Sequence, residues 1–305
     1  LAAASVAPAW SADPAPQGPF LQAPGGTSTP TAPAVAPNAL PGPAVRSAPT
    51  ASSAITPPAP ITPPPTSQPI AQPQGHPLEP VLELLRQSHQ AAQGIHDYSC
   101  TLMKRELLGG KLSEHESVAL KVRVKPFSVY IYCLGPVEPK GQEVLYVEGR
   151  NNNQALAHTT GLRDRLVGTL SLDPKSSRMM ERNRHPVTEI GIHHLLDDAL
   201  ASCQSDLNFG ECDVKYYRGA KVDSRECLCV QVTHPVPRKN FRYHVTRIYF
   251  DQQLNVPIRF EGYTWPTQAG GQPALLEEYT YRNLSVNRGL TDADFDPRNP
   301  SYKFN

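Results

Sequence analysis

His193-His194 followed by Asp197-Asp198 is the sharpest polar constellation in the chain. On a helix, His193/Asp197 and His194/Asp198 are i,i+4 neighbours, so either pair could offer two metal ligands on one face. Two ligands do not make a site, and H-E-x-x-H is absent, so the expectation is an exposed helix face without a metal. His185-Pro186 and His234-Pro235 each set an imidazole at an element boundary. Either could act as a general base, but a histidine before proline is more often a turn residue with a satisfied ring. The chain has no G-x-S-x-G elbow and no glycine spacing that would cradle a phosphate. Glu277 and Glu278 are adjacent in a strand-like run and so fall on opposite faces, where they cannot share a proton. These residues give no reason to expect an enzyme, a cofactor or a metal.

The six cysteines (Cys100, Cys133, Cys203, Cys212, Cys227 and Cys229) form an even set compatible with an oxidising compartment. Their spacing leaves the pairing open, and Cys227-Leu228-Cys229 has the wrong spacing for a zinc knuckle. Small buried hydrophobes with one or two bridges are the expectation.

The elements that must position these groups are mostly strands. The stretch Asn240–Pro266 holds two β-rich runs split by Asp251-Gln252-Gln253-Leu254-Asn255, which reads as an antiparallel hairpin. Ile248 and Phe250 share a parity on one run, as do Val256, Ile258 and Phe260 on the next, with Arg247, Arg259 and Glu261 on the other face. Pro257 has no N–H to donate and requires an edge or a bulge. Before the hairpin, alternation predicts a meander: a strand from Tyr98, a turn at Gly109-Gly110, strands over 118–124, 127–133, 143–148 and 154–158, then 212–218 and 226–233. A last strand covers 275–286. Leu78–Gln93 reads as an amphipathic helix with Leu78, Val81, Leu82, Leu85 and Ala92 inward, and Thr188–Leu207 as a second. Residues 159–186 read as a loop over an apolar surface, and Leu290–Pro297 as a turn that docks one phenylalanine.

Residues 1–77 differ in kind. They contain 20 of the 33 prolines and only two charged side chains, Asp13 and Arg46. Such a segment lacks the apolar bulk to offset the entropy of ordering it. The expected organisation is the end of a signal peptide over 1–12, a disordered Pro-rich linker over 13–77, and one folded domain over 78–305. Stretched as polyproline II, the linker would reach on the order of 200 Å. A net charge of +1 leaves no electrostatic footprint for nucleic acid, and no run of eighteen apolar residues predicts a membrane span.

Several blocks resemble a family of exported planctomycete proteins, domain of unknown function 1571. They are YSCTLMKRE (98–106), LKVRVKPFSVYIYCLGP (120–136), EVLYVEGRNNNQALAH (143–158), THPVPRKNFRYHVTRIYFDQQLNVPIRFEGYTWP (233–266) and LEEYTYRNLSVNRGLTDADFDP (276–297). The order of elements is similar to the lipoprotein-carrier (LolA-like) fold. That resemblance implies a mainly β (α+β) domain: a curled antiparallel sheet, or half-barrel, with two helices against its concave face. It further implies an exported, periplasmic or envelope-associated protein that carries an apolar ligand, such as a lipid or lipidated protein. Val129, Ile131, Phe250, Ile258 and Phe260 fall on the parity that would form the apolar ligand-binding face. A structural or protein-interaction module of the cell envelope, reaching a partner through the Pro-rich linker, is the alternative, and an enzyme with histidine-based chemistry the third. An apolar pocket of several hundred Å³ favours the carrier, a filled core the module, and converging His, Asp or Arg groups in a cleft the enzyme.

Overall fold

The computed structural model describes residues 75–135, 140–159, 168–268 and 270–304. The chain divides into two units, Leu1–Pro57 and Pro58–Asn305, and every described residue lies in the second. The expected signal-peptide end, and the expected linker up to residue 74, lie outside the described residues.

In chain order the elements are α1 (Glu79–Ala92), β1 (Asp97–Leu108), β2 (Lys111–Leu112), β3 (Glu116–Arg123), β4 (Ser128–Gly135), β5 (Glu143–Val147), β6 (Ala155–His158), β7 (Thr169–Leu172), α2 (Ser177–Met180), α3 (Ile192–Asp206), β8 (Asp213–Val222), β9 (Arg225–Thr233), β10 (Val245–Asp251), β11 (Pro257–Thr264) and β12 (Ala274–Val286). All strand pairs are antiparallel. The sheet runs β7-β6-β5-β4-β3-β1-β12-β11-β10-β9-β8, with β2 closing a hairpin on β1. This is the mainly β architecture expected from the alternation, a meander closed by pairing β1 with β12.

The central hairpin keeps the expected parity. Ile248 faces Phe260 and Tyr249 faces Arg259, and the register then slips so that Phe250 opposes Pro257. Pro257 therefore sits at a bulge, where its missing N–H breaks no ladder bond. Asp251 holds the turn, its Oδ1 accepting from the Gln253 and Leu254 amides at 2.8 Å each. The first run is shorter than expected, because strand begins only at Val245. Phe241 and Tyr243 are nevertheless buried.

One core gathers Val129 of β4 and Ala155 of β6 from one flank with Val222 of β8 and Cys229 of β9 from the other. Leu82 and Leu85 of α1 and Ile192 and Leu196 of α3 belong to the same core. Strands lie about 4.8 Å apart, so eleven side by side would span about 48 Å if flat. Two helices about 10 Å across cannot reach both flanks of such a sheet. The sheet curls around them, which makes the helix-bearing face the concave one. The two helices pack on each other, and Ser88 of α1 donates to the Asn255 carbonyl at 2.6 Å, fixing α1 over the hairpin turn.

Three features depart from the sequence reading. The second helix starts at Ile192 rather than Thr188, because Gly191 adopts φ +118° and separates it from a short 3₁₀ turn at Val187–Glu189. The 159–186 stretch holds a strand, β7, and a short helix, α2, where a loop was expected. The Leu290–Pro297 turn docks Phe295 as expected, and the tail beyond it adds Tyr302 and Phe304, so that all three pack on Tyr130, Leu145 and Val147 of the convex face. Tyr302 stacks on Tyr130 with centroids 3.9 Å apart. The six cysteines are free thiols. Burial pushes the Cys203, Cys227 and Cys229 thiols up to about 12, so they behave as packing groups rather than nucleophiles.

Candidate functional site

A cleft of about 310 Å³ opens where the α1–α3 pair meets the β1, β3 and β4 part of the sheet. Tyr98, Val122, Val124, Phe127, Ile190 and Ile192 supply its apolar wall, and His89, Gln93, Glu148, His193, His194 and Asp197 its polar lining. Tyr98 anchors the floor. It is wholly buried, its hydroxyl accepts from the Ile192 amide at 3.1 Å, and burial holds its pKa well above the usual phenol range. Gly191 permits that contact, since a Cβ there would lie 2.6 Å from the Tyr98 hydroxyl. The residue that ends the 3₁₀ turn and starts α3 is thus set by the cleft floor.

The two histidines expected on an exposed helix face are half-buried in this cleft instead. His193 donates from Nε2 to the Ala92 carbonyl at 2.9 Å, and burial lowers its pKa. His194 meets the ring of Phe127 edge-on, centroids 5.0 Å apart. The i,i+4 partners are not the ones used. Asp197 lies 3.2 Å from His89 Nε2 on the facing helix, and Asp198 pairs with Arg242. Among the described residues, no three His, Cys, Asp or Glu side chains converge as a metal centre.

A second polar cluster lies on the concave face around Glu277. His185 Nε2 sits 2.7 Å from one carboxylate oxygen and Arg184 Nε 3.3 Å. Tyr243 donates to the other oxygen. These partners outweigh burial and hold the Glu277 carboxyl down at about 2, while the carboxylate raises His185. Lys104 adds bonds to Glu106 at 3.1 Å and to Asn183 at 2.7 Å, and Arg182 reaches Glu116 at 3.3 Å. Arg182, Arg184 and His185 are therefore pinned by carboxylates and Asn183 by Lys104, not merely laid over apolar surface. Glu278 faces the other way, accepting from Arg259 Nη2 at 2.8 Å, with His115 Nε2 2.8 Å from its second oxygen. The two neighbouring glutamates are separated by the sheet, as their parity required.

His234 is the other boundary histidine. Its Nδ1 lies 3.2 Å from the Tyr243 carbonyl and its ring stacks on Phe241. Its buried Nε2 has no hydrogen-bond partner, although Asp206 Oδ2 stands 3.4 Å away. Burial disfavours the charged form of both: it pushes the Asp206 carboxyl up to about 6 and lowers His234.

Val129, Phe250, Ile258 and Phe260, four of the residues read as an apolar binding face, are buried, and Ile131 is half-buried against them. All five lie in the core beneath the helices, and none of them lines the cleft. The cleft residues came instead from four separate stretches. Only their mutual distance in the sequence hid them: Tyr98 and Ile192 bond across 94 positions.

Residues 95–304 match a family described as a protein of unknown function, DUF1571. The chain belongs to that family. No curated protein matches this DUF1571 chain. Among solved structures it is similar to MucB, at 16% identity and a TM-score of 0.41 over 70% of this chain and 61% of MucB. It thus spans less than two thirds of MucB's length. It is also similar to the lipoprotein LppX of Mycobacterium tuberculosis (14% identity, TM-score 0.40, 72% and 100% of the two chains). A LolA superfamily protein from Nitrosomonas europaea gives 12% identity and a TM-score of 0.29 over 70% and 96%.

Proposed function

We propose that this DUF1571 domain is a non-catalytic binding protein that takes the apolar part of a ligand into the cleft between its helices and sheet. The cleft carries this reading. Its volume falls at the lower end of the range for small-molecule sites, and an aliphatic and aromatic wall with a few polar groups at one side is the usual composition of such sites. A space of this size accommodates a short apolar stem rather than a whole diacyl lipid. The imidazoles there are engaged in packing, on a carbonyl, a ring and a carboxylate, and among the described residues the lining contains no Ser, Thr or Cys to act as a nucleophile. The concave-face set Val129, Ile131, Phe250, Ile258 and Phe260 would extend the apolar path inward if the helix pair shifted. Export to the cell envelope belongs to the same proposal and rests on the Ala-rich leading stretch and the family resemblance.

An uncharged apolar fluorophore, N-phenyl-1-naphthylamine, tests the reading by titration. Saturable binding that Phe127→Asp abolishes, with unchanged far-UV circular dichroism, is the expected result. Absence of saturable uptake by the folded protein would remove the carrier reading. The filled concave core would then favour an envelope interaction module.

A further inference from the structure

The polar side of the cleft carries a charge pattern that selects the ligand's head. Asp197 on α3 and Glu148 beyond β5 both line it, and among the described residues no lysine or arginine does. Lys125, in the turn beside Phe127, is exposed and stands outside the lining. The other ionisable groups facing the space are Tyr98 from β1, whose phenol burial keeps neutral, His89 from α1, and His193 and His194 from α3. With the imidazoles neutral, the lining bears two negative charges. The N-terminus of α3 opposes them with about half a positive charge, which leaves the sign unchanged. Among the described residues, neither carboxylate is held by a strong cation: Asp197 has His89 at 3.2 Å, and Glu148 accepts from the Phe127 amide at 3.2 Å. The half-buried ring of Phe127 belongs to the same lining, an aromatic face of the kind that attracts ammonium groups.

We infer that the cleft takes an amphiphile whose head is an organic ammonium group, the apolar stem lying against Val122, Val124 and Ile190 and the cation between Glu148 and Asp197. Anionic amphiphiles of the same length are disfavoured by the same two carboxylates. This inference rests on the binding reading above.

Calorimetry with the full chain, below micellar concentrations, compares three probes that share a dodecyl stem: dodecyltrimethylammonium, dodecyl maltoside and dodecyl sulfate. Two carboxylates in the lining around the head should separate the cationic from the anionic probe by about tenfold or more. The doubly substituted Glu148→Gln, Asp197→Asn chain should bring that ratio below about threefold. Both positions are exposed or lie on the cleft rim, so folding is not at stake. Equal binding of the sulfate, or a cationic preference that survives the double substitution, would overturn the head-group assignment and leave the binding reading standing. Failure of all three probes would instead remove the binding reading itself. Tetramethylammonium alone separates a free organic cation from a head group, and affinity equal to that of the dodecyl probe would overturn the amphiphile.

Discussion

At the scale of single residues, the polar groups of this protein divide by whether burial is compensated. Glu277 is buried among His185, Arg184 and Tyr243, and its carboxyl stays charged. Asp206 is buried beside a neutral imidazole, and its carboxyl rises from an ordinary value of 3.8 to about 6. The sign of the consequence follows from linkage. An acid whose folded-state pKa is raised binds its proton more tightly when folded, so the fold loses stability as pH climbs from about 4 to about 6. Asp206→Asn removes the charge and keeps the shape. The variant should match the parent at pH 3.5 and exceed it at pH 7.5 by on the order of 1–3 kcal/mol. Urea unfolding at the two pH values measures this directly. An equal change at both would mean that a lost contact, rather than the buried charge, decides the outcome.

At the scale of elements, α1 and the central hairpin illustrate what was legible in the sequence. Both are periodic over ten residues or more, and periodicity needs no knowledge of distant partners. The bulge at Pro257 and the turn at Asp251 followed from local chemistry in the same way. The start of α3 was misplaced because Thr188 and Glu189 are compatible with a helix, while Gly191 owes its conformation to Tyr98 of a remote strand. β7 was missed because four residues carry too little alternation to register, and Tyr302 and Phe304 because a docked tail has no period. The cleft was invisible for the related reason that it exists only where α1, α3 and the β3–β4 turn meet. α1 itself gives a test of its place in the core. Leu85 is buried against both layers, so Leu85→Ala should cost about 2–5 kcal/mol in urea unfolding. A change within about 0.5 kcal/mol, as at a surface site, would show that α1 is a tether.

At the scale of the whole molecule, the question is where the folded unit begins. Helix α1 starts at Glu79, yet the chain is already tied to the domain three residues earlier. His76 Nε2 lies 2.9 Å from the Phe209 carbonyl beyond α3, and its Nδ1 accepts from the Leu78 amide at 3.2 Å. Leu78 is buried, and its carbonyl receives the Cys203 thiol of α3. These contacts join the leading end of α1 to the trailing end of α3, so the helix pair that bounds the cleft is braced at the far end by residues 76–78. The preceding Pro-rich stretch has too little apolar bulk to add to this brace. A chain beginning at Gln74 should therefore keep the melting temperature of the full chain within about one or two degrees. One beginning at Glu79 loses the His76 bonds and the Leu78 side chain together, whose burial is worth roughly 1.5–3 kcal/mol. For a domain of this size that should lower the midpoint by about 3–10 °C. Differential scanning calorimetry of the three lengths decides it. A drop already present in the Gln74 chain would mean that the proline-rich stretch packs on the domain rather than leading away from it.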